Sequence, residues 1–379
     1  MLLYLTAFLT YLSACLFCAI FSKEKPKRWI APALVLLILT VLNAHLYLNR
    51  PAVRYSGHGF DYMSGYSSTD FTDYTVYAAN SRLAALDHAP SFVISDPEKM
   101  PVMDGAEACY PLYAAIARTV YQDIGRIEAD WIRAQRTTNG NTYPNGRIVT
   151  FTNTLVGFKR LLIGADQPDG ADLFFGARPS AGQLEEATES GVELTITTIG
   201  REAFVFFVEA DNPVNALTSE DVRAIYSGKI TNWKELGGKD QEIVAFQRPQ
   251  DSGSQTMMVW FMGETPLKEP ETYEMVSAMT GVIQKVAQYY NEEGAIGYSF
   301  RYFLEELGQE QHVKMLSIDG VYPSVETIED GTYPLTVDLC LITRKDDSNH
   351  YVQQMIDFIL SEDGQSLVRK TGYGGIRKK

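Results

Sequence analysis

"IVAFQRPQDSGSQTMMVWFMG", residues 243–263, joins a short apolar run of strand type (Ile243–Phe246) to a longer apolar run that ends at Gly263. Between them lie Arg248 and the triplet Ser252, Gly253, Ser254. The first amides of a helix lack intrahelical partners and stand at the positive end of its dipole, so a helix starting here aims N–H and O–H donors at one point. Gly253 lets the backbone approach closely. Arg248, at the end of the strand, adds a bidentate, charge-assisted contact to an oxyanion. The stretch predicts strand, anion loop and helix, with no metal. Taken alone it also fits a capping serine beside a surface arginine, and the rest of the chain has to choose.

Length and charge narrow the field. The chain has 379 residues, 45% of them hydrophobic, enough for a membrane anchor and a two-lobed domain. Its net charge of −14 argues against a nucleic-acid partner, which requires a basic face. Two of the four cysteines, Cys15 and Cys18, fall in an apolar N-terminal run; Cys109 and Cys340 remain without a CxxC pair, so neither a metal nor a disulfide framework is indicated, and no cofactor is called for.

Leu2–Phe21 and Trp29–Asn49 carry no Lys, Arg, Asp or Glu and flank the basic "KEKPKR" of Lys23–Arg28. Each run matches the hydrocarbon thickness of a bilayer, and the basic hinge is expected on the cytoplasmic side. Residues 1–50 thus read as two transmembrane helices in the cell membrane, with the large domain on the extracytoplasmic face. Two other readings are a lipid-attachment box at "LSAC" (Leu12–Cys15), which lacks a preceding basic residue, and a cleaved signal peptide, which lacks a charged start.

Residues 51–97, rich in Tyr, Ser, Gly and Asp, show no sustained period and read as a stalk, although their tyrosines would also suit packing on the domain. Beyond Pro101 strand and helix patterns alternate, which predicts an α/β class. "PLYAAIARTVYQDI" (Pro111–Ile124) spaces Leu112, Ile116, Val120 and Ile124 as a helix, and "ELTITTI" and "AFVFFV" read as short buried parallel strands. Thr218 caps a helix with Asp221 at its third position, Val222, Ile225 and Tyr226 on one face and Gly228 at its end. Val352, Met355, Ile356, Ile359 and Leu360 define another amphipathic helix.

Four segments, "LTSEDVRAIYSGKITNWKELGG" (Leu217–Gly238), "FQRPQDSGSQT" (Phe246–Thr256), "AIGYSFRYF" (Ala295–Phe303) and "FILSEDGQSLVRKTGY" (Phe358–Tyr373), resemble in content, order and spacing the PstS-like phosphate-binding proteins of ABC importers. The resemblance spans about residues 98–379. It implies that the N-terminal pair of transmembrane helices read above is followed by a type II periplasmic-binding-protein fold: lobe one at 98–203 plus 295–379, lobe two at 204–294, crossing strands near Thr198–Phe207 and Ala295–Phe300, and the ligand in the cleft.

By the same resemblance, Arg248, Ser252, Gly253 and Ser254 supply the arginine and hydroxyl loop, and Thr154 in "TNTLVGFKRL" the hydroxyl donor of lobe one. The chain departs from the pattern in three places. Cys109 stands before Tyr110 and Pro111 where the family has threonine, a weaker donor, with Glu107 beside it. Glu107 either takes the proton of a monoprotonated oxyanion or points to solvent. "FFGARPS" carries Ala177 and Arg178 where many relatives have serine or aspartate, and Arg178 fits either the cleft or its rim. Asp251 replaces a usual glycine and either holds Arg248 or repels the ligand.

The function implied is capture of phosphate or a similar oxyanion for an ABC transporter permease. The alternative is a diverged sensory or scaffold protein of the same fold. An enzyme is disfavoured, since the serines lack a GxSxG elbow and the five histidines form no catalytic or metal motif.

Overall fold

The computed structural model describes residues 71–139, 146–250, 252–270, 282–283, 286, 294–307 and 312–376. The expected membrane spans at Leu2–Phe21 and Trp29–Asn49, and Asp251, lie outside these residues. Among the described residues no helix is long and apolar enough to cross a membrane.

Strand β1 (Met103–Gly105) leads through a 3-10 turn, Glu107–Cys109, into helices α1 (Tyr110–Val120) and α2 (Ile124–Asn139). Then follow α3 (Thr154–Ile163), β2 (Leu173–Gly176), α4 (Ala181–Glu189) and the long β3 (Leu194–Glu209). β4 (Ala216–Leu217), α5 (Ser219–Tyr226), β5 (Val244–Ala245) and α6 (Gly253–Met262) continue the chain. β6 (Ala295–Phe300), β7 (Val313–Met315), β8 (Ser317–Ile318), α7 (Val325–Glu329), β9 (Thr336–Arg344), α8 (Tyr351–Ile359) and α9 (Glu362–Thr371) complete it.

β3 joins the two halves. Residues 194–203 pair antiparallel with β9, which in turn pairs with β2, while residues 204–208 pair antiparallel with β6. The partner changes between Ala203, opposite Thr336, and Phe204, opposite Phe300. The two apolar runs expected as separate parallel strands are therefore one antiparallel strand. A buried apolar run is compatible with either sense, and here the strand is buried because it crosses from one half to the other. Its side chains Ile199, Ala203, Phe204 and Phe206 are buried in the main core, which reaches into both halves. On the lobe-two side Phe204 and Phe206 pack against Tyr298, Tyr226 and Phe261. On the lobe-one side Tyr113 stacks on Phe175 and meets Tyr110 edge-on.

Two expected boundaries change. Phe71, Tyr74, Val76 and Ile94 are buried in the main core, with Phe71 against Tyr110 and Phe151, so residues 71–97 belong to the domain and not to a stalk. Four buried apolar side chains outweigh the missing periodicity, because an irregular segment can bury side chains wherever a groove receives them. Pairing on the lobe-two side also extends past residue 294: β6 and β7 both pair with the second half of β3, and β8 pairs with β4 in a separate two-stranded sheet.

Local signals set the helix ends as expected. The Thr218 side chain accepts from the Asp221 amide, Asp221 returns the contact, and Val222, Ile225 and Tyr226 are buried. Gly228, just past the end, sits at φ +77°, a backbone region that glycine enters at little cost. Val352, Met355, Ile356 and Ile359 line the buried face of α8.

Candidate oxyanion site

Three helix starts from both lobes converge on one small cavity. From lobe one come Ala106–Cys109, which lead into α1, with Asn153 and Thr154 at the start of α3; from lobe two comes Gly253 at the start of α6. The wall is completed by Ala177, Glu202 of β3, Arg248, Phe300, Val337–Leu339 of β9 and Tyr373. The cavity holds about 40 Å³, several times the ~10–15 Å³ that one water needs. That is room on the scale of a small tetrahedral ion, and too little for a sugar or an amino acid.

Local sequence chemistry aims each helix. Asn153 takes φ +77° and ψ 175°, a sparsely populated region held mostly by glycine, and its Oδ1 accepts from the amides of Leu155 and Val156 at 3.0 and 3.2 Å. This leaves Thr154, the first residue of α3 and half-buried, at the cavity wall. Ser252 caps α6 by accepting from the Gln255 amide at 3.3 Å, which leaves the amides of Gly253 and Ser254 as the first two of the helix. A methyl group built on Gly253 would lie 3.5 Å from Thr154 Oγ1 and 3.8 Å from the Phe300 ring, so the two helix starts meet across the cleft.

Arg248 is 3% exposed. Its backbone N–H donates to Tyr298 Oη at 3.0 Å and Gln255 Oε1 at 3.1 Å, and the Tyr298 hydroxyl in turn donates to Gln255. The loop is thereby tied to both β6 and α6. The arginine and three positive helix ends give the cavity the donor set of an oxyanion site.

Of the residues anticipated from sequence, Arg248, Gly253, Thr154, Cys109 and Ala177 meet in this cavity. Ser252 is its capping neighbour, and Ser254 is fully buried with a hydroxyl that has no partner among the described residues. Tyr110 does not line the cavity; it is buried in the lobe-one core against Phe71, Tyr113 and Phe151. Arg178, for which cleft and rim were both open, lies on the rim. It is exposed, donates from Nη2 to Asp338 at 2.8 Å, and lines a wider outer groove of about 910 Å³ with Trp260 and Lys268. Cys109 and Cys340 are free and buried; burial pushes the Cys340 thiol up to about 11 and the Cys109 thiol higher, so neither is a thiolate at neutral pH.

Sequence reasoning missed Asn153, Glu202, Phe300, Val337–Leu339 and Tyr373. Asn153 had a usable signal, a capping residue directly before Thr154. Glu202 had a fainter one: with Arg201 it interrupts the apolar run of residues 194–208. Tyr373 donates from its hydroxyl to the Ala108 carbonyl, which fixes the turn before α1 from the C-terminal end of the chain.

A small cavity lined by Arg248 and Glu202 among mostly apolar neighbours, set between two α/β lobes that share strand β3, is the arrangement of a two-lobed ligand-binding protein. The chain belongs to the PBP superfamily domain family, whose model matches residues 145–363. It is 31% identical over 223 residues to the phosphate-binding protein PstS of Bacillus subtilis, covering 57% of this chain and 67% of that one. Against the phosphate-binding protein PstS of Borreliella burgdorferi it is 28% identical over 199 residues, 51% of this chain and 69% of that one. Among solved structures, a putative phosphate ABC transporter substrate-binding protein with bound phosphate from Clostridium perfringens superposes with a TM-score of 0.51 at 23% identity, covering 73% of this chain and 99% of the other. That likeness establishes the fold.

Proposed function

We propose that the protein binds phosphate, or a closely similar oxyanion, on the extracytoplasmic face of the cell membrane and passes it to an ABC transporter permease. The observation that carries this reading is the convergence of the α1, α3 and α6 starts with buried Arg248 around a cavity of ion size. Donors fixed by helix backbones need no reorganisation when the anion arrives, which favours tight binding. Arg248, Gly253, Ser254 and Thr154 are its contacts, with Ser252 holding the loop and Ala177 and Cys109 forming the wall. The role is selective binding, without a chemical step.

The relatives named phosphate-binding protein PstS support the choice of phosphate. The apolar runs Leu2–Phe21 and Trp29–Asn49 around Lys23–Arg28 support a tether of two helices that holds the lobes near the permease. Cys109, a weak donor where a hydroxyl would bind better, favours a second reading in which the same fold senses another small oxyanion. Calorimetric titration with phosphate, sulfate and molybdate separates the two. Micromolar or tighter binding of phosphate, with the other anions at least tenfold weaker, supports transport; preference for another anion supports the second reading, and no binding of any of them sinks both.

A further inference from the structure

The small cavity adjoins a much larger space. A groove of about 910 Å³ lies beside it, and Arg248, Val337 and Asp338 line both. On lobe one the groove is bounded by Arg178 and the start of α4, and on lobe two by the outward side of α6 and by Leu267 and Lys268. A phosphate ion fills the inner cavity and leaves this groove unused. Pockets for organic ligands run to roughly 300–1,000 Å³, the scale of the groove.

The groove walls are held in place. A capping box between Ser180 and Gln183 sets the start of α4. Gln247 donates from Nε2 to the Lys268 carbonyl at 2.8 Å, and Arg223 donates from Nε to the Phe261 carbonyl at 3.0 Å, near the end of α6. α6 itself carries no charged residue: Met258, Phe261 and Met262 pack inward, while Val259 and Trp260 stay 54% and 59% exposed on the groove. With Met257 and Leu267 they make one side of it apolar. An indole left open in a concavity offers a flat face that a ring can cover by stacking.

The junction of the two spaces has its own chemistry. Val337 presents no donor there, and the Asp338 carboxylate, held by Arg178, presents none either. A charged phosphoryl oxygen gains nothing on that side. The bridging oxygen of an ester carries no charge and leads its carbon into the groove, while the three terminal oxygens face the helix starts and Arg248.

We propose that the site accepts phosphate monoesters, with the phosphoryl group in the inner cavity and a flat apolar substituent against Trp260 in the outer groove. The proposal rests on the oxyanion reading above and extends it from the free ion to an organic phosphate. No bond is made or broken. The substituent is held between the start of α4 on one lobe and α6 on the other.

The test is calorimetric titration of the full-length chain in detergent with inorganic phosphate, methyl phosphate and phenyl phosphate at about pH 8, where an ester phosphoryl group is largely a dianion. Phenyl phosphate is expected to bind at least tenfold tighter than methyl phosphate, the scale of one aromatic stacking contact, and to change the tryptophan fluorescence. Trp260→Ala, at an exposed position, should remove both effects and leave phosphate affinity within about twofold of wild type; Trp260→Phe, which keeps a ring, should retain most of the tenfold advantage. A melting curve checks each variant, and if one fails to fold, the wild-type comparison of the two esters with the fluorescence change decides. Phenyl phosphate that binds no tighter than methyl phosphate, or an advantage unchanged by Trp260→Ala, overturns the proposal and leaves phosphate binding intact. Binding of phosphate with both esters excluded does the same, and shows that the lobes close across the groove on the free ion. Failure of phosphate and both esters to bind overturns the oxyanion reading, and this proposal with it.

Discussion

Arg248→Ala is expected to weaken phosphate binding by roughly 100-fold or more, the scale of losing a buried charge-assisted contact to an anion. The guanidinium is buried in the cavity wall, and the loop that carries it is held by Tyr298 and Gln255 through backbone bonds that the substitution leaves in place. The loss should therefore appear in affinity while the fold persists. Titration together with a melting curve of the unliganded protein checks both. Arg248→Lys should recover only part of the affinity, because a lysine offers a point charge where the arginine offers a fork. A variant with alanine at this position that binds as tightly as wild type would remove the arginine from the site.

Asp104→Ala is expected to produce the largest loss of stability. Asp104 is fully buried in β1, pairs with Arg160 of α3, and accepts from the amides of Gly105 and Thr152 and from the Thr152 hydroxyl at 2.8, 3.0 and 2.7 Å. Removing the carboxylate leaves a mostly buried arginine without its counter-charge, held only by Thr150 and the Asp169 and Gly170 carbonyls, and two amides unpaired, which costs about 3–5 kcal/mol in comparable buried pairs. For a domain of this size that is a fall in melting temperature on the order of 10 °C, readable by calorimetric or circular dichroism melting. The same pair holds α3 against β1 and so aims Thr154 at the cavity; phosphate affinity should fall as well, by less than for Arg248→Ala. A melting temperature within about 2 °C of wild type would show that the pair does not anchor α3.

What the sequence disclosed and what it concealed divide along physical lines. The loop around Ser252 was legible because a helix start needs particular residue types in adjacent positions, and the Thr218 and Ser252 caps appear where those residues put them. The pairing sense of β3 was not legible, because an apolar run records burial and not the direction of its neighbour. Residues 71–97 looked like a stalk because irregular segments pack without period, yet Phe71 and Ile94 are as buried as the helices they touch. Tyr110 and Arg178 flank true cavity residues in sequence, but successive residues on a helix or turn point in different directions, so one entered the core and the other the rim. Glu202 was concealed for the opposite reason: a charged residue between two apolar runs usually marks a turn, and here the strand continues through it from pairing with β9 to pairing with β6.

Electrostatically the cavity is a balance. Three helix ends and Arg248 attract an anion, while Glu202, Glu107 and Asp338 stand in the same wall, with Asp338 paired by Arg178. A net negative chain of −14 adds a long-range repulsion that salt screens, so capture depends on the short-range donors.

The most direct measurement is a crystal structure of the protein grown with phosphate. The account predicts one phosphate in the cavity, within hydrogen-bond distance of Arg248, the amides of Gly253 and Ser254 and the hydroxyl of Thr154, with an oxygen facing Glu202. A cavity that stays empty at saturating phosphate, or a phosphate bound elsewhere on the protein, would contradict it.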